Sequence, residues 1–582
     1  MPGAEREWPA GMTDVVPRRY VADPCYPPRN GGVAVGWEAV AAAVPAGVSV
    51  VAVDGPVIAA WPEVAAGFTK ALAERGISVT RADTSAWMLP WPRVRELTSS
   101  PALREDPDFD KLAGADLADL FDLPERLSSP HRGILLVFGP GAALFPHDLL
   151  CYADLPKRYA EDAVIQGGGL NLGQPAGTGG GTTKRLFYAD WPLLDRHRDG
   201  IAEGIDWWID MQDPAAPGLI GGPALRATLA DLAGRPFRVR PTFNTTPWGG
   251  HWAQRRLGHN PRARNTALGY ELIAPESGIL IGGQHGPRVE APFQLAVALN
   301  AEQLLGDAIH QAFGTSFPVR FDYLDTVGGG NLSVHCHPRP DYMREVFGWP
   351  YTQHETYYLM VAGEGTHVFL GLRGDVNVQA FRREASAADT RGAPFPITRH
   401  VQTFPAVPHQ LFLIPAGTPH GSGQGNVVLE ISATPYLYSL RFYDWLRRDP
   451  QGRQRPVHVG HAFGNLDADR KGDAVARDLI PPPRTLRGGR GWKEELLGAL
   501  PEMFFEVRRL ALQPGAAAAD GTIGRFHVLN VVEGDGVLVE TSGGPTHSLA
   551  YAETLLVPAA VGGYTLRAAG ASPVMVVKAF VR

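Results

Sequence analysis

An extended chain turns successive side chains to opposite faces, and Asn331-Leu-Ser-Val-His-Cys-His337 sorts sharply under that rule. Asn331, Ser333, His335 and His337 share one face, while Leu332, Val334 and Cys336 take the other. A strand of this kind belongs in a sheet whose second face is buried and whose polar face presents two imidazoles to one point. Two histidines at that spacing can offer two nitrogens to a single ion. The same alternation aims Cys336 away and removes it from the candidate ligands.

Two further segments supply the rest of a donor set. In Gln353-His-Glu-Thr-Tyr-Tyr-Leu-Met360, Gln353 and Glu355 share a face and His354 points opposite. Only a bulge before Glu355 would turn His354 inward. The apolar run Leu411-Phe-Leu-Ile ends in Pro415-Ala-Gly-Thr-Pro-His420, a turn that returns His420 toward the first two ligands. A single strand histidine says little, but four candidates on consistent faces point to a metal site of His335, His337, Glu355 and His420. Imidazoles with one carboxylate suit zinc, iron, manganese or nickel, with Zn2+ or another divalent transition metal as the expected cofactor. Gly329-x5-His335-x-His337 and Pro415-x-Gly417-x2-His420 are the two halves of the cupin pattern, so a cupin β-barrel is expected here.

With those motifs in order, residues 236–582 resemble the class I mannose-6-phosphate isomerases. Trp248-Gly-Gly250 is similar to an early element of that family, and Leu332-Ser-Val-His-Cys-His-Pro338 to its Leu-Ser-x-Gln-x-His-Pro metal strand. Ile414-Pro-Ala-Gly-Thr-Pro-His420 is similar to its second metal motif, and Val428-Leu-Glu-Ile431 with Leu440-Arg-Phe-Tyr-Asp-Trp445 to the run carrying an active-site Glu and Arg. Phe526-His-Val-Leu529, Glu533-Gly534 and Leu555-Leu-Val-Pro-Ala559 resemble its second cupin. The resemblance implies isomerisation of mannose 6-phosphate and fructose 6-phosphate through a cis-enediol. It assigns Glu430 as base or orienter, Arg441 to phosphate or a developing oxyanion, and Trp248, Ser333 and Arg441 to substrate binding. Two departures stand out. His335 replaces the usual Gln and should still coordinate. Thr352-Gln-His-Glu355 replaces Gly-Lys-Thr-Glu, so Gln353 takes the catalytic position of a lysine and cannot act as a general base. That loss leaves a non-catalytic, regulatory sugar-phosphate-binding protein as the alternative, with a cupin enzyme of another substrate as a third reading.

The first 235 residues follow a different grammar. Val48–Val53 is a valine-rich run suited to a strand buried on both faces, and a turn at Asp54-Gly-Pro56 follows it. Val64–Arg75 has helical spacing with Gly76 as C-cap, and Ile77–Thr80 and Gly133–Phe138 read as further strands. Alternating strands and helices predict a parallel α/β domain. Val50-Val-Ala-Val-Asp-Gly-Pro56 resembles the opening of uridine-kinase-like P-loop proteins, but Gly55-Pro-Val-Ile-Ala-Ala-Trp-Pro62 lacks the lysine and the serine or threonine that hold phosphate and Mg2+. A degenerate pseudo-kinase domain is expected. The glycine-dense stretch 167–182 reads as a ligand-facing loop able to meet an anion through backbone N–H groups, and Arg-Leu-Phe-Tyr-Ala-Asp-Trp191 after it as a strand.

The expected architecture is therefore multidomain: a P-loop kinase-like α/β domain over 1–235, then two all-β cupin (jelly-roll) domains over 236–470 and 471–582. The three cysteines, Cys25, Cys151 and Cys336, are too few and too scattered for a disulfide framework and fit a reducing, cytoplasmic setting. A net charge of −6 over 582 residues argues against nucleic acid, and no apolar run suits a membrane span. The partner expected is a small-molecule sugar phosphate.

Overall fold

The computed structural model describes residues 19–125, 127, 132–433, 438–449 and 452–582. Two compact units divide the chain, one of Cys25–Leu232 with Gly278–Asn300, the other of Met1–Pro24, Ala233–Ser277 and Ala301–Arg582.

The first unit is built on a seven-stranded sheet. Val50–Asp54 lies at its centre between Ile134–Phe138 and Leu149–Asp154, with Val79–Asp83 and Trp207–Asp210 outside them, and these five strands run parallel. Gly218–Gly221 and Val33–Val35 complete one side antiparallel. The valine-rich central strand is buried because helices cover it. Val64, Phe68, Ala71 and Leu72 of the Trp61–Glu74 helix pack there with Val51, Val53 and Leu136. Gly76 follows that helix at φ 76°, the left-handed conformation that suits glycine after a helix end.

Two features depart from the sequence reading. Residues 185–191 are helical, running from Thr183 to Ile201 through a wide turn at Leu186–Asp190. Thr182 caps this helix by accepting from the Arg185 N–H, and Leu186, Ala189 and Asp190 are buried, so burial at helical spacing overrides the strand-like aromatic run. The unit also takes in a hairpin of Gly278–Gly282 and Arg288–Pro292 with the Phe293–Leu299 helix, although these lie beyond residue 235. Arg158 holds the hairpin bidentately, with Nη1 and Nη2 at 2.9 and 2.7 Å from the two Glu290 oxygens.

The second unit carries two antiparallel β-barrels, each of two sheets. The first pairs a six-stranded sheet, in the order 411–414, 355–362, 426–433, 319–325, 268–272 and 242–244, with a five-stranded one, 401–405, 367–372, 420–422, 334–336 and 440–443. Helices interrupt the all-β pattern. The longest is Val378–Arg391, with the Asn377 side chain accepting from the Ala380 N–H at its start and Gly392 left-handed at its end. The second barrel, from residue 484 onward, faces six strands with four. The three cysteines are buried and form no disulfide with one another. Among the described residues no helix is long and apolar enough to cross a membrane.

Candidate metal centre and active site

The two sheets of the first barrel bring four buried side chains together. His335 and His420 sit opposite each other on paired strands, His337 lies just beyond the same strand end, and Glu355 opens the facing strand Glu355–Ala362. One donor atom from each of His335, His337, Glu355 and His420 lies within 4.8 Å of the others. A turn shapes the approach of His420. Gly417 is left-handed at φ 84°, its N–H donates to the His337 carbonyl at 3.0 Å, and a Cβ there would stand 2.7 Å from the Asn465 carbonyl oxygen. A larger residue would push the turn away.

Each imidazole is oriented from behind. The Nδ1 atoms of His335, His337 and His420 lie 3.0, 3.2 and 2.9 Å from the carbonyl oxygens of Ser333, Tyr438 and Thr418. Carbonyls only accept, so Nδ1 carries the proton in each ring and the Nε2 lone pair is left to face the centre. There His337 Nε2 is 2.5 Å and His420 Nε2 3.3 Å from Glu355 Oε2. Acceptors so close need a shared proton or a cation between them. Glu355 Oε1 and His420 Nε2 are buried without a hydrogen-bond partner, a cost that protein interiors rarely leave uncompensated. Burial presses the His335 and His337 rings away from protonation, with Glu355 opposing. Burial alone would raise Glu355, but His420 and His337 outweigh it and hold the carboxyl well below its usual range. A divalent metal takes imidazoles through an Nε2 lone pair, which the carbonyl contacts at Nδ1 leave available in all three rings. The donor set fits such an ion.

Next to this centre the six-stranded sheet carries a buried ionic row. Strand register sets Asp322 opposite Glu430, Tyr357 opposite Glu430, and Arg320 and Glu355 on either side of Ser432. Arg320 Nη2 donates to Glu430 Oε1 at 2.5 Å, and its Nε donates to Ser432 Oγ at 2.8 Å and lies 3.3 Å from Asp322. Burial pushes the Glu430 carboxyl well above its ordinary value despite Arg320, and raises Asp322 to about 7, with Glu355 adding to the rise. The Tyr357 ring stands edge-on to His420 at 5.6 Å between centroids.

The remaining sequence candidates lie at graded distances from this core. Gln353 Nε2 donates to Glu430 Oε1 at 3.3 Å, so the residue in the lysine position joins the ionic row. Ser333 supports His335, its Oγ 3.4 Å from Nδ1. Arg441 is opposite His335 on the neighbouring strand, and its Nε donates to the Pro456 carbonyl at 3.1 Å while Nη2 lies 3.1 Å from His458 Nε2. Trp248 is buried at the loop before the metal strand, where its carbonyl accepts from the Gly330 N–H at 2.9 Å. Cys336 stays outside the donor group, with its thiol 3.8 Å from the Ala462 carbonyl. His354 also points elsewhere, and its Nδ1 accepts from the Ala416 N–H at 3.2 Å. Arg320, Asp322 and Tyr357 were missed by sequence reasoning. The signal for Arg320 and Asp322 was present in Val319-Arg-Phe-Asp-Tyr-Leu-Asp325, where charges alternate with aromatic and aliphatic side chains in a fully buried strand.

Residues 36–234 match the family model of a domain of unknown function, DUF8485. Among curated proteins, the chain is 26% identical to the mannose-6-phosphate isomerase of Streptococcus mutans, over 41% of this chain and 70% of the relative. It is 23% identical to the mannose-6-phosphate isomerase ManA of Bacillus subtilis, over 57% of this chain and 95% of that one. The solved structure of a Bacillus subtilis mannose 6-phosphate isomerase superposes with a TM-score of 0.47 at 19% identity, covering 59% of this chain and 99% of the other. At the level of the family, and over part of its length, the chain is similar to mannose-6-phosphate isomerases.

Proposed function

We propose that the first barrel is a metal-dependent aldose–ketose isomerase of a sugar phosphate, interconverting mannose 6-phosphate and fructose 6-phosphate through a cis-enediol. The observation that carries this reading is the convergence of three oriented imidazoles and Glu355, with two buried donor atoms left without partners, beside an ionic row that includes the buried Glu430 carboxyl held by Arg320. His335, His337, Glu355 and His420 would hold a divalent ion, zinc or another transition metal, and that ion would supply Lewis acidity toward the oxygens on C1 and C2.

The chain's own groups account for the rest. Glu430 is the proton carrier between C2 and C1, because burial raises its proton affinity and Arg320 remains at hand to stabilise its ionised form. Gln353 holds Glu430 in place through its amide and takes no proton itself. Arg441 meets the phosphate, while Ser333 and Trp248 border the substrate. The α/β domain assigned to residues 1–235 serves as a degenerate kinase-like domain without phosphate-loop chemistry. The Asp54 carboxylate at the end of its central strand already accepts from the N–H groups of Gly55, Gly141 and Ala143.

Deuterium exchange at C2 of mannose 6-phosphate, with the full chain reconstituted with metal, tests this reading. Exchange that disappears in His420→Ala supports it. The substitution of the motif lysine by Gln353 favours a second reading, a regulatory protein that binds sugar phosphates without turnover. Tight binding of mannose 6-phosphate with no exchange would establish that reading and overturn the first.

A further inference from the structure

The first unit contains a cleft of about 340 Å³ that no part of the isomerase reading uses. It lies between the Trp91–Thr98 helix, the turn that follows it, and the end of the glycine-dense loop where that loop enters the Thr183–Arg185 turn. Four basic side chains line it, Arg95, Arg104, Lys184 and Arg185, against two acidic ones, Asp106 and Asp110. In a chain whose net charge is −6, that is a local reversal of sign.

Arg185 is the anchor. Only 9% of it is exposed, yet its hydrogen bonds go to hydroxyls, Ser99 Oγ at 2.9 Å and Thr98 Oγ1 at 2.8 Å, rather than to a carboxylate. Its Nε is buried with no acceptor, and its guanidinium lies 4.9 Å from the Trp91 ring centre. A buried cation without a carboxylate in direct contact is costly, and a fold that retains one gains when an anion arrives. Burial accordingly lowers the Arg185 proton affinity. Asp190 and Asp110 oppose that effect, while the nearby Arg95 adds to it. Lys184 is committed to the wall, donating to the carbonyls of Leu103 and Asp106 at 2.8 and 2.6 Å. Arg95 and Arg104 are exposed at the rim.

We infer that this cleft is a binding site for a small phosphorylated ligand, its phosphate held by Arg185 at the base and by Arg95 and Arg104 at the rim. Planar guanidinium groups match the oxygens of a phosphate dianion in paired hydrogen bonds, which a lone lysine cannot do. The volume is that of a small-molecule site rather than of a macromolecular surface. The site is independent of the metal centre and of any isomerase activity.

Calorimetric titration of the full chain with inorganic phosphate tests it. Because Arg95 and Arg104 are exposed, the double variant Arg95→Gln, Arg104→Gln should keep the wild-type melting temperature while binding phosphate at least roughly tenfold more weakly. Arg185→Gln should lose binding altogether. Phosphate binding of unchanged affinity in the double variant would place the anion elsewhere, in the barrel or on the surface, and would overturn the assignment. Absence of binding in the wild type would overturn it as well, and so would equal affinity for acetate, which lacks the second charge.

Discussion

In the first barrel the inward row of the large sheet is Arg320, Asp322, Glu355 and Glu430. In the second, the corresponding interior is Leu510, Leu529, Val531 and Val576, packed with Val537, Val539 and Leu566 from the facing sheet. The second barrel also buries a charge, but closes it. Lys578 lies 2.6 Å from Glu494 and 2.5 Å from Asp520. The first barrel leaves Glu355 Oε1 and His420 Nε2 open. Two barrels of the same architecture thus separate scaffold from site. An apolar interior with a paired ion stabilises, whereas an interior of oriented but unsatisfied donors waits for a ligand.

The comparison breaks most visibly at the metal. His337→Ala should abolish bound divalent metal in elemental analysis of the purified protein, while Lys578→Met in the second barrel should leave the metal content intact. Equal metal loss in both would erase the distinction. The next effect is on turnover. Glu430→Gln should lower isomerisation by roughly 10²–10⁴ with metal retained, and wild-type turnover in that variant would reduce Glu430 to an ion-pair partner of Arg320. In the apolar barrel, Leu529→Ala should cost about 2–5 kcal/mol in denaturant unfolding without altering metal content.

The smallest effect lies where the barrels meet. Glu271 is buried there, accepting from the Tyr20 hydroxyl and from the Thr554 N–H at 3.0 Å. Burial pushes its carboxyl from 4.5 to about 7, with Arg238 opposing the rise. Between those values the folded chain keeps a proton that the unfolded chain has released. The resulting stability is therefore full below about pH 4.5 and is lost as pH rises through about 7. Glu271→Gln should flatten this profile in thermal unfolding and exceed the wild type by about 1–3 kcal/mol at alkaline pH. A profile as steep as the wild type's would assign the titration to another group.

The convergence of His335, His337, Glu355 and His420 was legible because strand alternation is local, and the rule that turned these four inward also turned Cys336 and His354 away. The ionic row was not legible, because it depends on pairings across large sequence separations. Arg320 and Glu430 are 110 residues apart, and no local pattern fixes the register that joins them. The helix through residues 185–191 was misread because aromatic residues favour strands until burial at helical spacing decides otherwise. The Gly278–Asn300 excursion was invisible for a similar reason. Its strands look like any others, and only their partner, Cys25–Tyr26 on one side, shows which unit they complete.

That excursion bears on how the protein is made. The first unit does not have all its strands until the segment ending at Asn300 has been synthesised, so a nascent chain emerging from the ribosome must carry a partly assembled α/β sheet while some seventy further residues are added. During that interval the Gly218–Gly221 and Trp207–Asp210 strands lack the hairpin that later lies beside Trp208, whose indole N–H donates to the Glu290 carbonyl at 3.1 Å. A gene cut at the apparent boundary near residue 235 would make that interval permanent.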